Sequence, residues 1–210
     1  MSGERLRTPA DVARARGVQE ILHFTTDKGT MGSLRKEALL SRLQVQDDPD
    51  LAFIFLAVWP VKAHRWVDYV SLSIHSINLD LWRRALRNLP ERWWGVLAFE
   101  PAILDHEGVY FATTNNIYPS CHRGQGAASF EALYADPVLG RYSYPHARER
   151  LPAAQPTDRA AEVLYPTAIS LEFLRSVYVA TAEHRRMVRA WCSAFDRPEP
   201  ALEIRPEIFS

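Results

Sequence analysis

The sequence is poor in cysteine, with only Cys121 and Cys192 among 210 residues. Two thiols make neither a disulfide framework nor a four-thiolate zinc site. Net charge is also lacking. The 25 basic and 25 acidic residues cancel, so no global field draws the chain to polyanions, and nucleic-acid binding needs a local patch. The greasiest run, Leu51 to Trp59, is at most half of a bilayer span. With no secretory leader in evidence, the cytoplasm is the expected compartment. Internal repeats and low-complexity segments are absent. No G-x-G-x-x-G follows a strand, and there is no Walker-type lysine loop, paired-histidine zinc motif or nucleophile elbow. Those absences remove Rossmann dehydrogenases, P-loop enzymes, zinc hydrolases and α/β-hydrolases.

What remains is an ordinary globular composition, 47% apolar and 24% charged, in a chain long enough for one sizeable core. The expected organisation is an N-terminal segment (1–18) with a short helix, a single domain (19–197) and a C-terminal tail (198–210). Thr8-Pro9-Ala10-Asp11 reads as an N-cap with proline at the first helical position, and Gly17 ends that helix. Gln19 to Thr26 alternates as a strand, and Thr26 or Asp27 can cap a helix over Thr30–Glu37, with Ala38-Leu39-Leu40 closing the unit. Residues 44–50 read as an acidic turn, and 51–59 as either a strand or a buried helix. Further strands are predicted over Trp66–Ile74, Trp93–Phe99, Val109–Thr113 and Val177–Ala180. Helices are predicted from an Asn78 cap to about Arg87, over Ala127–Ala135 and over Ala182–Phe195. About six strands joined by irregular connections imply an α+β domain rather than a doubly wound sheet.

Two places carry chemistry. In Pro156-Thr157-Asp158-Arg159-Ala160-Ala161-Glu162-Val163-Leu164-Tyr165, prolines keep the chain extended until a β-favouring run begins. Glu162 therefore stands where a loop enters a buried strand, an address that suits a surface carboxylate or a catalytic one. In His23-Phe24-Thr25 a histidine ends a strand before a helix, either as a satisfied structural histidine or as a ligand for a hydroxyl. Cys121-His122 has no second cluster to complete a metal site, and both the metal and the nucleophile readings are rejected. The arginines Arg83, Arg84 and Arg87 fit a solvated helix face. The stretch 138–159, with His146, Arg148 and Arg150, is long enough to suggest a functional loop.

Taken in order, His23-Phe24-Thr25 with its helix, Tyr69-Val70-Ser71-Leu72-Ser73-Ile74 with Asn78, and Ala161-Glu162-Val163-Leu164 resemble the DarT family of nucleic-acid ADP-ribosyltransferase toxins. Gly95 to Pro101 and Phe111 to Asn116 fit the same pattern, so the resemblance spans most of residues 20–195. It implies an α+β ADP-ribosyltransferase fold: a split, mostly antiparallel β-sheet core flanked by helices. It also implies NAD as co-substrate without a metal, single-stranded DNA as acceptor (RNA in a related branch), and a macrodomain antitoxin as partner. Relatives differ in whether thymine or guanine is modified.

By the same resemblance Glu162 is the catalytic glutamate, stabilising positive charge on the ribose as the nicotinamide bond breaks. His23 and Thr25 would hold the NAD ribose, with Ser73 and Asn78 on the nicotinamide side. The loop from Tyr144 to Arg159 becomes the acceptor-recognition loop. His146, Arg148, Arg150 and Arg159 would meet phosphates there, Tyr142 or Tyr144 would stack on a base, and Asn115, Asn116 and Tyr118 of an earlier loop would line a base pocket. One departure stands out. Thymine-modifying members carry an arginine in the turn after the second strand, whereas this turn reads His75-Ser76-Ile77-Asn78. Either Arg83 or Arg84 on the next helix substitutes, or Asn78 marks another subgroup. A transferase of the same fold acting on RNA or protein, and a non-catalytic nucleotide-binding module, are the rival readings.

Overall fold

The computed structural model describes residues 7–51 and 64–209. Most of the apolar 51–59 run lies outside the described residues, and only Leu51 can be placed, buried in the interior.

Local chemistry explains the elements in chain order. Helix α1 (Pro9–Ala15) starts at Thr8 with a reciprocal capping box to Asp11. The next residues, Arg16 and Gly17, end it, with Gly17 at φ 77° in the left-handed region. Strand β1 (Ile21–Thr26) runs directly into α2 (Asp27–Lys36), whose N-cap is Thr26. Strand β2 (Ala38–Leu40), α3 (Arg42–Asp47) capped by Ser41, and β3 (Tyr69–Ile74) follow. Asn78 caps α4 (Leu79–Asn88), and β4 (Trp94–Phe99) and β5 (Tyr110–Ala112) come next. Short strand β6 (Arg123–Gly124) leads to α5 (Gly126–Ala132) and a small hairpin of β7 (Val138–Leu139) and β8 (Pro145–His146). The chain closes with β9 (Glu162–Pro166), β10 (Ala168–Ser170), β11 (Leu174–Val179), α6 (Ala182–Ala194) and β12 (Ala201–Ile204).

Eight strands form one sheet in the order β12-β11-β4-β1-β3-β9-β5-β6. Its pairings are antiparallel apart from β11 with β12. The sheet has a seam. Strand β1 pairs with β4 along its whole length, from Ile21↔Phe99 to Thr26↔Trp94. On its other side it pairs with β3 only at Ile21↔Ile74 and Leu22↔Ser73. From His23 onward β1 and β3 part, which is the split expected of the fold.

Burial alternates across the central strands as the two-residue strand period requires. Ile21, Leu97, Phe99, Val177 and Val179 join a core with Val12, Leu34, Phe130 and Val188 from α1, α2, α5 and α6. Leu22, Val96, Ala98 and Tyr178 face the opposite way, against Trp82 and Ala85 of α4. Strand β4 is covered on both faces and all six of its residues are buried, which is why its sequence runs continuously apolar.

Several expectations change. Ala38–Leu40 is not a helix ending but a strand paired with β10. The acidic turn of 44–50 is largely the end of α3, because Ser41 accepts from the Gln44 N–H and starts a helical turn. Ala201–Ile204, within the stretch read as a tail, lies parallel to β11 as an edge strand. The described residues hold twelve strands where about six are predicted. Strands of two or three residues have no period to read.

Candidate active site

The seam opens into a cavity of about 470 Å³, within the size range of small-molecule sites. His23, Thr25, Ser73, Asn78, Asn115, Asn116, Tyr118 and Glu162 all line it. Eight of the proposed site residues, drawn from five separate stretches of the chain, thus meet in one place.

His23 spans the gap where the ladder stops. Its Nδ1 lies 3.0 Å from the Ser71 carbonyl. A carbonyl only accepts, so Nδ1 carries the proton. Thr25 projects beside Gly29 in the first turn of α2, where an added Cβ would overlap the threonine hydroxyl. Asn78 spends its Oδ1 on the Leu81 N–H as the α4 cap. The first turns of α4 thereby bring Asp80, Leu81 and Arg84 to the cavity wall.

Glu162 is the first residue of β9, paired with Ala112 of β5, and is 8% exposed. The Asn116 backbone N–H donates to its Oε2 at 3.2 Å, Asn116 Nδ2 donates to the same oxygen, and Asn115 Nδ2 reaches Oε1 at 3.4 Å. The approach to Glu162 is firmer than an open loop. Asp158 is buried, and it accepts from the backbone N–H groups of Ala160 and Ala161. This turn aims the chain into β9.

The arginines divide. Arg148 does not line the cavity. Its guanidinium donates to the carbonyls of Pro152, Ala153 and Gln155 at 2.8–3.1 Å and lies over the Tyr134 ring. It holds the loop together from within. Arg150 and Arg159 are exposed and also lie outside the cavity lining. Among the described residues, the Lys and Arg side chains that do line it are Arg42 of α3 and Arg84 of α4. Arg84 was one of two candidates to replace the turn arginine. Arg42 was missed, because a serine-capped helix start was hidden in a stretch read as the edge of a turn.

Burial pushes the Cys121 thiol up from its ordinary value, outweighing the backbone of Thr114 and the Arg123 charge, which act the other way. A thiol held neutral is a poor nucleophile, in line with the rejected reading. Among the described residues no group of three or more His, Cys, Asp or Glu side chains is placed to hold a metal.

A family model described as "ssDNA thymidine ADP-ribosyltransferase, DarT" matches residues 32–210. The chain belongs to the DarT family. It is therefore an ADP-ribosyltransferase of single-stranded DNA with NAD as donor. Comparison with curated protein sequences gives no match. Among solved structures, the fold is similar to Thermus sp. 2.9 DarT in complex with NAD+. There the TM-score is 0.63 at 15% identity, over 91% of this chain and 98% of that one. The same protein in complex with ADP-ribosylated ssDNA gives a TM-score of 0.62 at 16% identity, over 92% and 97% of the two chains. Thermosipho africanus DarTG in complex with ADP-ribose gives 0.56 at 13% identity, over 91% of this chain and 51% of that one. The family match begins at Gly32, so His23 and Thr25 lie outside the matched residues.

Proposed function

We propose that this DarT-family chain moves ADP-ribose from NAD onto a thymine of single-stranded DNA, with Glu162 as its catalytic carboxylate. The observation that carries the reading is Glu162 itself, an acceptor-only group held by N–H donors on the wall of the cavity at the sheet seam. NAD fits the residues present. Two guanidinium groups, Arg42 and Arg84, supply the positive charge that a diphosphate needs, and His23 lines the same cavity as a polar ring. In the reaction the bond from ribose C1′ to nicotinamide breaks and nicotinamide leaves with the bonding pair. A ring nitrogen of the base then bonds to C1′ and gives up its proton. The Glu162 carboxylate stabilises the positive charge that grows on the ribose and stands ready to take that proton.

The β7–β8 hairpin supports a single-stranded acceptor. At its tip Tyr142 and Tyr144 are 86% and 67% exposed, and Arg141 lies over the Tyr142 ring. Exposed aromatic faces beside a guanidinium are what unstacked bases bind. The cytoplasm suits the chain, since both cysteines are free and buried and no described helix is long and apolar enough to cross a membrane. A macrodomain antitoxin that removes the modification is the partner the family reading calls for.

The test uses NAD labelled in its ADP-ribose portion, with single-stranded oligonucleotides each lacking one base, an RNA counterpart and a protein mixture. Label should require thymine in DNA and fall by orders of magnitude, to a small residual rate, with Glu162→Ala. Label on protein or RNA alone would overturn the acceptor, and a fully active Glu162→Ala would overturn the catalytic assignment.

A further inference from the structure

Asn116 is placed for more than lining a pocket. It lies 46 positions from Glu162 in sequence, and its N–H and Nδ2 both donate to Oε2 of that carboxylate. The orientation of its carboxamide has one solution. Turned over, Oδ1 would face Oε2 and two oxygens would repel. The orientation adopted leaves Oδ1 buried and without a hydrogen-bond partner among the described residues. The main chain of Asn116 is fixed as well. Arg123 donates to the Asn116 carbonyl, and to those of Tyr118 at 3.2 Å and Cys121 at 2.9 Å. The pairing of β5 with β6 sets Arg123 in place, Ala112 opposite it. Ala112 is also the partner of Glu162 in β9. One residue of β5 thus ties the carboxylate and the arginine that shapes its clasp to a common register.

We infer that Asn116 is a positioning residue of Glu162: it holds the carboxylate in one rotamer, and it does not read the base. This rests on the reading of Glu162 as catalytic. Both amide donors contribute to that task, the backbone N–H through the loop's shape and Nδ2 through the side chain. Asn115 plays a lesser part, since its Oδ1 is engaged with the Ile117 N–H and its Nδ2 contact is the longest of the three.

The isosteric Asn116→Asp keeps shape while replacing the Nδ2 donor with a second carboxylate oxygen, and Asn116→Ala removes the group. In steady-state assays with NAD and a thymine-containing oligonucleotide, kcat should fall by roughly tenfold or more in Asn116→Ala and further in Asn116→Asp, with both KM values little changed. In a Glu162→Ala background, Asn116→Ala should change nothing further, because residues acting through one another are not additive. Three results overturn the inference: Asn116→Asp as active as the parent, a raised KM for the oligonucleotide with kcat intact, or an additive loss in the double variant. If Glu162→Ala alone leaves transfer intact, the underlying reading fails instead. Thermal melting of each variant separates folding from catalysis. If Asn116→Ala does not fold, Asn116→Asp carries the test.

Discussion

At the scale of single residues, the same side-chain type serves opposite purposes a few positions apart. Arg148 donates into three carbonyls of its own loop and also lies 3.5 Å from the Thr157 hydroxyl. Arg150 and Arg159 remain exposed. Arg148→Ala is therefore expected to lower stability by about 1–2 kcal/mol, a moderate loss because two of the three carbonyls it serves can turn to water instead. It should leave the salt dependence of single-strand binding unchanged, whereas losing a true phosphate contact lowers that slope by about one. Denaturant unfolding and binding titrations at several salt concentrations measure both. The sequence could not separate these arginines, because a guanidinium turned inward onto carbonyls and one turned outward look alike in a loop. Glu162 and His23 were legible for a different reason. Each sits at a strand end beside a sharp change in composition, so its register in the sheet could be read locally. The clasp on Glu162 was not legible, since it depends on the β5–β9 pairing across 46 residues. Asn115 and Asn116 were placed near the site, but their partner was not foreseen.

Among the elements, the junction of β1 and α2 governs the donor side. Thr26 ends the strand and caps the helix, accepting from the Gly29 N–H, while Thr25 packs where a side chain on Gly29 would stand. Gly29→Ala should push Thr25 toward the cavity. Overpacking of this kind costs about 1–3 kcal/mol, expected as a loss of NAD affinity of about tenfold in calorimetric titration. Wild-type affinity in Gly29→Ala would show that Thr25 stands clear of the donor. The β7–β8 hairpin is the element on the acceptor side. Replacing Tyr142 and Tyr144 with alanine should weaken single-strand binding by about 1–3 kcal/mol per stacked base lost, with NAD affinity intact. Helix starts such as Thr8-Pro9 and Asn78 were readable because capping is local chemistry. The hairpin was not, its strands being two residues each.

For the whole molecule, the packing of α6 against the sheet makes stability depend on pH. His184 stacks on Trp93 with ring centroids 4.5 Å apart, and Trp191 stacks on the same indole. Burial holds the His184 pKa below its ordinary value, outweighing the nearby carboxylates of Glu183 and Asp27, which act the other way. The unfolded chain then binds the proton more readily, so stability is full above about pH 6.5 and declines as pH falls through that value toward the folded one. The melting temperature should drop between pH 7.5 and 5.5, and His184→Phe, which keeps the aromatic stack, should flatten that drop. An unchanged slope would place the titration elsewhere.

The seam between β1 and β3 has a consequence for the energetics of the entire fold. Two strands that meet at only two register pairs leave the seam bridged beyond them by the His23–Ser71 contact, over a core that both sides of the sheet share. A donor bound there works as a removable cross-brace, and mass action sets how much it contributes: about 2.7 kcal/mol at a concentration one hundred times its Kd. Resistance to heat and to proteolysis should accordingly climb with the logarithm of NAD concentration, making the enzyme's persistence a gauge of its own substrate pool.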